Sequence, residues 1–355
     1  MAKQVVMFQP YVTDLMRMEV MATLNTRWIG EGPKVVLFEE KFAEKFGVKY
    51  PVAVNSGTSA LSLAYHLADI QPGDEVISPV FTCSATNVAL LHRGAKIVFS
   101  DINTDTLNPS KDDILSKITD KTKAIINVHL YGNQNKLGKM PLTVISDSAQ
   151  CHTSPPDEED YVAYSFQAIK HLTTGDGGML IVRNEDDYKR AKKLRWFGID
   201  REKKQEANWQ VYHGRSITTD FAEAGWKYQM TDIAASLGIG ALYSYSNIMY
   251  HHKNLQKLYI EKLKNIDGLK IIGGMWSFPL LVERRDDFAK MLFDNDIETN
   301  VVHVRNDVLS VFGGKRQDLP NMNKIEDKYI SLPLHMHVTE EDVDRITKLI
   351  RKGWQ

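Results

Sequence analysis

The chain has 355 residues, of which 43% are hydrophobic and 25% charged, and its 44 Lys and Arg against 45 Asp and Glu leave a formal net charge of -1. A disordered chain would carry fewer apolar residues and more net charge, and a nucleic-acid binder would show a basic excess or stripe. Its only two cysteines, Cys83 and Cys151, exclude a disulfide framework and a four-cysteine zinc site. The length suggests two domains, large enough to bury a core without staples.

No apolar run approaches the roughly 20 residues of a membrane helix, and the first residues lack the apolar core and cleavage site of a signal peptide. A reducing compartment, the cytoplasm, is the natural location, with no membrane and no nucleic-acid partner expected. The basic groups Lys189-Arg190 with Lys192-Lys193 and Arg195, and Arg201 with Lys203-Lys204, read as a solvated helix face and a loop.

In chain order, Leu15, Met18, Met21 and Ala22 recur at helical spacing. A glycine-punctuated loop follows, Trp28-Ile29-Gly30-Glu31-Gly32-Pro33. The next helix presents Val35, Leu37 or Phe38, Phe42 and Phe46 on one face and stops at Gly47. From about 51 to 185, short β-rich runs alternate with helical segments. Strands are predicted at Val52–Asn55, Asp74–Ser78, Lys96–Phe99, Lys123–Val128 and Val144–Asp147, and helices at Thr58–Ala68 and Ala85–His92. Such alternation implies a mostly parallel sheet covered on both faces. Ligands then bind beyond the carboxyl ends of the strands, so Ser56-Gly57-Thr58, Pro79–Cys83 and Asp147–Gln150 should converge on one crevice.

Residues 186–260 read as helical with a polar loop near 200–220. Short strands return at Leu269–Ile272, Phe278–Leu281 and Tyr329–Leu332, with helices at Asp286–Asp294 and Glu340–Lys352, the second opened by acids in its first turn. This predicts an α/β large domain over 1–245, with an N-terminal arm over 1–35, and a smaller α+β domain over 246–355.

Three segments carry chemistry. Asn55-Ser56-Gly57-Thr58-Ser59-Ala60 lies between a strand and a helix, where free amides and hydroxyls make an anion site; a plain turn with a Ser or Thr cap fits the same residues. Asp147-Ser148-Ala149-Gln150 puts a carboxylate at a strand end, placed to hold a cationic ring nitrogen or to cap a helix. Lys170 follows the β-rich run Tyr164-Ser165-Phe166 and precedes the glycine-rich turn Thr173-Thr174-Gly175-Asp176-Gly177-Gly178. Burial would lower its pKa and make it a nucleophile; a surface lysine beside a hairpin turn is the alternative. Phosphate cradle, ring-nitrogen carboxylate and Schiff-base lysine, in that order, are what pyridoxal 5′-phosphate requires.

With these segments the chain resembles the DegT/DnrJ/StrS family of sugar aminotransferases, of the aspartate aminotransferase (type I) fold. The likeness runs through nearly the whole chain. It includes Trp28–Pro33, Phe38-Glu39, Ser56–Leu61, Pro72–Ile77, Asp147–Gln150, Ser165-Phe166 with Lys170, Thr174–Gly178, Met230-Thr231-Asp232 and Ser331–His335. The resemblance implies that Lys170 forms the imine with the cofactor and later shuttles protons. It implies that Asp147 pairs with the pyridinium nitrogen and that Gln150 contacts the ring face or its phenolic oxygen. Gly57, Thr58 and Ser165 would hold the phosphate, with Ser59 beside them. In family dimers the segment before Met230 reaches the partner's phosphate, and the position often held by Asn is here Lys227.

Two further departures stand out. Cys83 lies where many relatives carry an aromatic that stacks on the ring, a role Phe81 would then take if it is kept. Phe197 lies where relatives often have His. The resemblance implies a reaction that moves the amino group of glutamate to a nucleotide-linked keto-sugar, a 4-keto-6-deoxyhexose, in a homodimer with its sites at the interface. Relatives that replace the lysine with His are dehydratases. Here Lys170 holds that position and His171 follows it, which favours transamination; a non-catalytic regulator would need no such lysine. His303 and Arg305 are candidates for the sugar end. The loop Arg201–Thr219, with Trp209, Tyr212, His213 and Arg215, is a candidate for nucleotide or partner contacts. No spacing supports Cys83 or Cys151 as metal or redox residues, so no metal is expected.

Overall fold

The computed structural model describes residues 4–200 and 223–354. The expected loop contacts of Arg201–Thr219 therefore lie outside the described residues. Seven strands form the central sheet: β1 (Tyr50–Val54), β2 (Glu75–Pro79), β3 (Lys96–Ser100), β4 (Thr122–Val128), β5 (Thr143–Asp147), β6 (Tyr161–Ser165) and β7 (Gly178–Val182). Their spatial order is β1-β7-β6-β5-β4-β2-β3. All neighbours pair in parallel except β7, which runs antiparallel to both β1 and β6. The strands predicted from sequence are there. The direct β6–β7 pairing is an addition, because the glycines before Gly178 read only as a turn.

Alternation along the strands sorts side chains to two faces. Val52 and Val54 of β1, Ala163 of β6, and Leu180 and Val182 of β7 face one core with α3 (Gly57–Leu67), α4 (Ser84–Leu91) and α6 (Glu185–Leu194). Ala53, Val162, Tyr164, Met179 and Ile181 face the other, with α1 (Asp14–Leu24), α2 (Pro33–Phe46) and α7 (Asp232–Leu263). A short α5 spans Lys111–Ser116.

Helix α2 buries Val35, Phe38, Phe42 and Phe46, as its spacing requires, and ends at Gly47 with φ 65°. Its start is held from afar. The Asp232 carboxylate accepts the amides of Gly32, Lys34 and Val35 at 2.8, 3.1 and 3.1 Å. A Cβ on Gly32 would stand 2.8 Å from that carboxylate. This one contact explains why the loop before α2 and the turn before α7 carry the residues they do. Helix α1 departs from expectation: Met16 and Thr23 are buried, whereas Met18 and Met21 are exposed.

The C-terminal part has a three-stranded antiparallel sheet in the order β10 (Tyr329–Leu332), β9 (Phe278–Val282), β8 (Leu269–Ile271). Helices α8 (Arg285–Phe293), α9 (Pro320–Ile325) and α10 (Glu340–Arg351) accompany it. Phe278, Leu280, Phe288, Ile346 and Ile350 build its core. The division expected after residue 245 falls inside α7. That helix carries Ile239 and Tyr245 into the large core and Leu255, Tyr259 and Leu263 into the small one. No helix among the described residues is long and apolar enough to cross a membrane.

Candidate active site

The carboxyl ends of β1, β5 and β6 and the turn after β2 meet at a cavity of about 360 Å³. Ser56, Gly57 and Thr58, Thr82 and Cys83, and Asp147, Ala149 and Gln150 all line it, so the three segments expected to converge do so. Ser165, Lys170, Asp176, Gly177, His129, Trp276 and His303 complete the relevant wall.

At one end the chain leaves β1 and turns into α3. Ser56 caps the helix, its hydroxyl accepting the Ser59 amide at 3.0 Å. The amides of Gly57 and Thr58, in the first turn, have no acceptor within the helix, and the helix dipole adds partial positive charge there. Gly57 must be glycine because an added Cβ would lie 2.7 Å from the Ser165 Cβ. That close approach sets the Ser165 hydroxyl beside the same helix end. The result is an anion cradle of the size of a phosphate.

The glycine-rich turn serves this approach more than a ligand. A Cβ on Gly178 would stand 2.4 Å from the Ser56 carbonyl oxygen, and one on Gly177 would meet Thr174 and Met230. Ser59 lies to the side: its hydroxyl donates to Asn55 Oδ1 at 2.6 Å, and it lines a neighbouring cavity with Arg93, Trp226 and Tyr228.

At the other end Asp147 closes β5. Its Oδ2 accepts from the buried Thr86 hydroxyl at 2.7 Å and its Oδ1 from the Ala149 amide at 2.9 Å. No helix begins here, so the carboxylate is not a cap but a fixed, desolvated negative charge. Gln150 is held at both ends. Its Oε1 accepts the Tyr131 amide at 2.8 Å, and its Nε2 donates to His303 Nε2 at 2.6 Å. That bond needs a neutral imidazole. Burial, and then the nearby Lys170 charge, push the His303 pKa down to about 3.

Lys170 sits on the connection between β6 and β7, in a turn closed by its own amide to the Gln167 carbonyl at 2.9 Å. Burial lowers its pKa to about 8, partly offset by Asp147 and Cys83. Its side chain lines the cavity with the amine 4.1 Å from the Trp276 ring centroid, which overturns the surface-lysine alternative. His171 does not line the cavity: its Nε2 donates to the Met275 carbonyl at 2.8 Å.

Several expected groups stand elsewhere. Phe81 is fully buried and packs edge-on against His303 and Tyr329, so only Cys83 of the pair reaches the cavity. Arg305 is not at the cavity, which corrects its assignment to the sugar end. Its guanidinium is buried in a network with Asp307 at 2.7 Å, Asn323 and Glu326. Asp307, Glu326, Asn323 and the Gln317 carbonyl together take all five of its N–H donors, leaving none for a substrate. Lys227 is also outside this cavity, its ammonium 4.0 Å from the Trp196 ring centroid and 5.6 Å from that of Phe197. Thr86, His129, Tyr131 and Trp276 were not anticipated. The Gly273-Gly274 pair before Met275-Trp276 was the one local sign that the chain there packs closely.

The cradle, the fixed carboxylate and the buried amine fit pyridoxal 5′-phosphate in its phosphate, ring nitrogen and aldehyde respectively. Residues 11–351 match the DegT/DnrJ/EryC1/StrS aminotransferase family. The spore coat polysaccharide biosynthesis protein SpsC of Bacillus subtilis is 31% identical, over 97% of this chain and 96% of its own. GDP-perosamine synthase of Escherichia coli O157:H7 is 28% identical over 99% and 98%. The solved structure of the sugar aminotransferase CalS13 from Micromonospora echinospora superposes with a TM-score of 0.90 at 28% identity, covering 99% of this chain and all of that one. The chain thus belongs to the DegT/DnrJ/EryC1/StrS aminotransferase family of sugar aminotransferases, and its cofactor is pyridoxal 5′-phosphate.

Proposed function

We propose that this protein transfers the amino group of glutamate to a nucleotide-linked keto-sugar, a 4-keto-6-deoxyhexose, making an amino sugar for a polysaccharide, glycan or secondary metabolite. The observation that carries the reading is the Lys170 amine, buried in the same cavity as Asp147 and the start of α3. The bound cofactor supplies an electron sink for the bond broken next to the transferred nitrogen.

The chain's own groups divide the remaining work. Gly57, Thr58 and Ser165 hold the phosphate, with Ser59 supporting the turn beneath it. Asp147 keeps a proton on the ring nitrogen, since a carboxylate held by Thr86 and Ala149 favours a cation opposite it. Gln150, oriented by Tyr131 and His303, faces the ring or its phenolic oxygen. Cys83 lines the ring face without the stacking that an aromatic would give. Lys170, with its lowered pKa, takes the proton from the carbon on one side of the transferred nitrogen and returns it to the carbon on the other side. His171 turned onto the Met275 carbonyl counts against the dehydratase alternative, in which an imidazole would have to occupy the lysine's place.

The proposed assembly is a cytoplasmic homodimer. Met18, Met21 and Leu24 leave an apolar strip on α1 that is exposed among the described residues, as a partner subunit would require. Lys227, away from its own cavity, is then available as a point charge on the phosphate of the other subunit.

Borohydride reduction followed by peptide mapping tests the site, and mass spectrometry of nucleotide keto-sugars incubated with glutamate tests the reaction. A pyridoxyl group on the Lys170 peptide and 2-oxoglutarate released with an aminated sugar are expected; Lys170→Ala should abolish both. A label on another peptide, or turnover surviving in that variant, refutes the assignment.

A further inference from the structure

The Lys170 amine makes no hydrogen bond among the described residues. It rests 4.1 Å from the centroid of the Trp276 ring. Trp276 comes from the C-terminal half of the chain, 107 residues beyond Ile169, yet its indole N–H donates to the Ile169 carbonyl at 2.9 Å. Ring and lysine are therefore tied together through the residue immediately before the lysine.

The indole is fixed from every side. Phe8, from the N-terminal arm, stacks on it at 5.1 Å with planes 24° apart. The amides of Met275 and Trp276 both donate to the Tyr131 carbonyl, at 2.6 and 2.9 Å. Tyr131 itself is a buried non-glycine residue at φ 59°, a conformation kept only where the surroundings impose it. The Met275 carbonyl accepts from two imidazoles, His171 Nε2 at 2.8 Å and His252 Nδ1 at 2.7 Å. Burial keeps both histidines neutral, so both serve as donors rather than charges. A Cβ on Gly274 would stand 2.5 Å from the Ser277 carbonyl and 2.6 Å from that of Tyr131, so the loop has no room to shift.

This degree of fixing exceeds what a filler of apolar space needs. An aromatic face attracts an ammonium through the ring quadrupole, more strongly when water is excluded. We infer that Trp276 is a positioning residue: its face is the resting place of the Lys170 ammonium in the part of the cycle when the lysine is not bonded to the cofactor. The inference rests on the proposed transamination, in which the donor displaces the lysine and the lysine must later return. A flexible four-carbon side chain released into an open cavity would otherwise sample many rotamers. Held on the indole, it stays beside the atoms between which it moves the proton.

Among the described residues the other titratable groups around the amine are Asp147 at the end of β5, Cys83 before α4, Asp176 in the turn before β7, and the imidazoles of His129, His152, His171 and His303. Burial opposes the ammonium and Asp147 supports it. The indole adds to the support of Asp147.

The test uses protein loaded with pyridoxamine 5′-phosphate, in which the lysine is free. Lysine labelled with carbon-13 at the ε position is titrated by NMR, and the Lys170 resonance is assigned by its loss in Lys170→Ala. Trp276→Leu should lower the Lys170 pKa by about 0.5–1.5 units, as expected for loss of a partly desolvated cation–π contact. Trp276→Phe, with a weaker face, should fall between. The acid limb of the kcat profile should move by the same amounts. If the leucine variant does not fold, the phenylalanine variant carries the test alone. An unmoved pKa overturns the inference. So does a rise toward the ordinary lysine range, which would mean that the ring acts only by keeping water out. Borohydride labelling of the wild type on Lys170 separates these outcomes from failure of the transaminase reading itself.

Discussion

Acid should unfold this protein through its buried imidazoles. His152, His171 and His303 are each held near a pKa of about 3, burial being the first cause in every case. In the unfolded chain an imidazole titrates near 6.5. The folded value is the lower one, so below pH 6.5 the unfolded state binds more protons. Stability is then complete above about pH 6.5 and declines as the pH falls toward 3. At about pH 5 the solution is roughly 1.5 units below each group's unfolded pKa, which costs about 2 kcal/mol per group. Three such groups sum to about 6 kcal/mol as an additive upper bound, against a usual total of about 5–15. His252 is displaced in the same direction. Glu223, held down to about 2 first by its bond from Arg190, responds only at lower pH and does not confuse the window.

Urea unfolding at fixed protein concentration, between about pH 7.5 and 5, measures the effect. His171→Gln is the informative variant. A glutamine amide can still donate to the Met275 carbonyl, while the buried Nδ1 of His171, which has no partner, is removed. The variant should therefore lose about 2 kcal/mol less than wild type between about pH 6.5 and 5. A wild-type stability that stays flat across this range, or a variant difference that does not change with pH, would refute the assignment of neutral buried imidazoles.

Two further outcomes test the cofactor site. Thr86→Val keeps the shape of the side chain but removes one of the two donors to Asp147; with a net hydrogen bond to a charged group worth about 1.5–3 kcal/mol, kcat should fall at least tenfold and Thr86→Ser should restore most of it. Gly57→Ala drives a Cβ to 2.7 Å from Ser165; the strain of about 1–3 kcal/mol should appear as a loss of about fivefold or more in cofactor affinity, read by absorbance titration, with the fold retained by circular dichroism.

The large sheet was legible because β1 to β5 are short apolar runs punctuated by turn residues, with helices between them. β7 was not: its five residues are all buried, but Gly177 and Gly178 at its start look like a turn, and only the packing of Gly177 on Thr174 and Met230 and of Gly178 on Ser56 and Gly57 explains them. The face of α1 was misread for a related reason. Met18 and Met21 have the right period for burial, but they are exposed in the isolated chain. That Gly57, Thr58, Asp147, Gln150 and Lys170 line the cavity could be read because each lies on a strand end or in a local turn whose residues announce it, whereas Ser165 came only with the family resemblance. Arg305 misled because a cation near the site looks like a substrate anchor until its partners Asp307 and Glu326 are seen.

What stayed hidden shares one property. Thr86, Tyr131 and Trp276, and the bond that ties Gln150 to His303, depend on partners far apart in sequence: 61 residues from Thr86 to Asp147, 153 from Gln150 to His303, 107 from Ile169 to Trp276. All but the Thr86 bond meet at a single residue. Tyr131 gives its amide to Gln150, its carbonyl to Met275 and Trp276, and its hydroxyl to Tyr329. The strained backbone at Tyr131 thus joins Gln150, the indole beside Lys170 and the sheet of β8 to β10. A rotation of that sheet against the large one would move all three together. With Gln150 facing the cofactor ring as proposed, cofactor orientation and lysine position would then be one mechanical variable, set where the two halves of the chain meet.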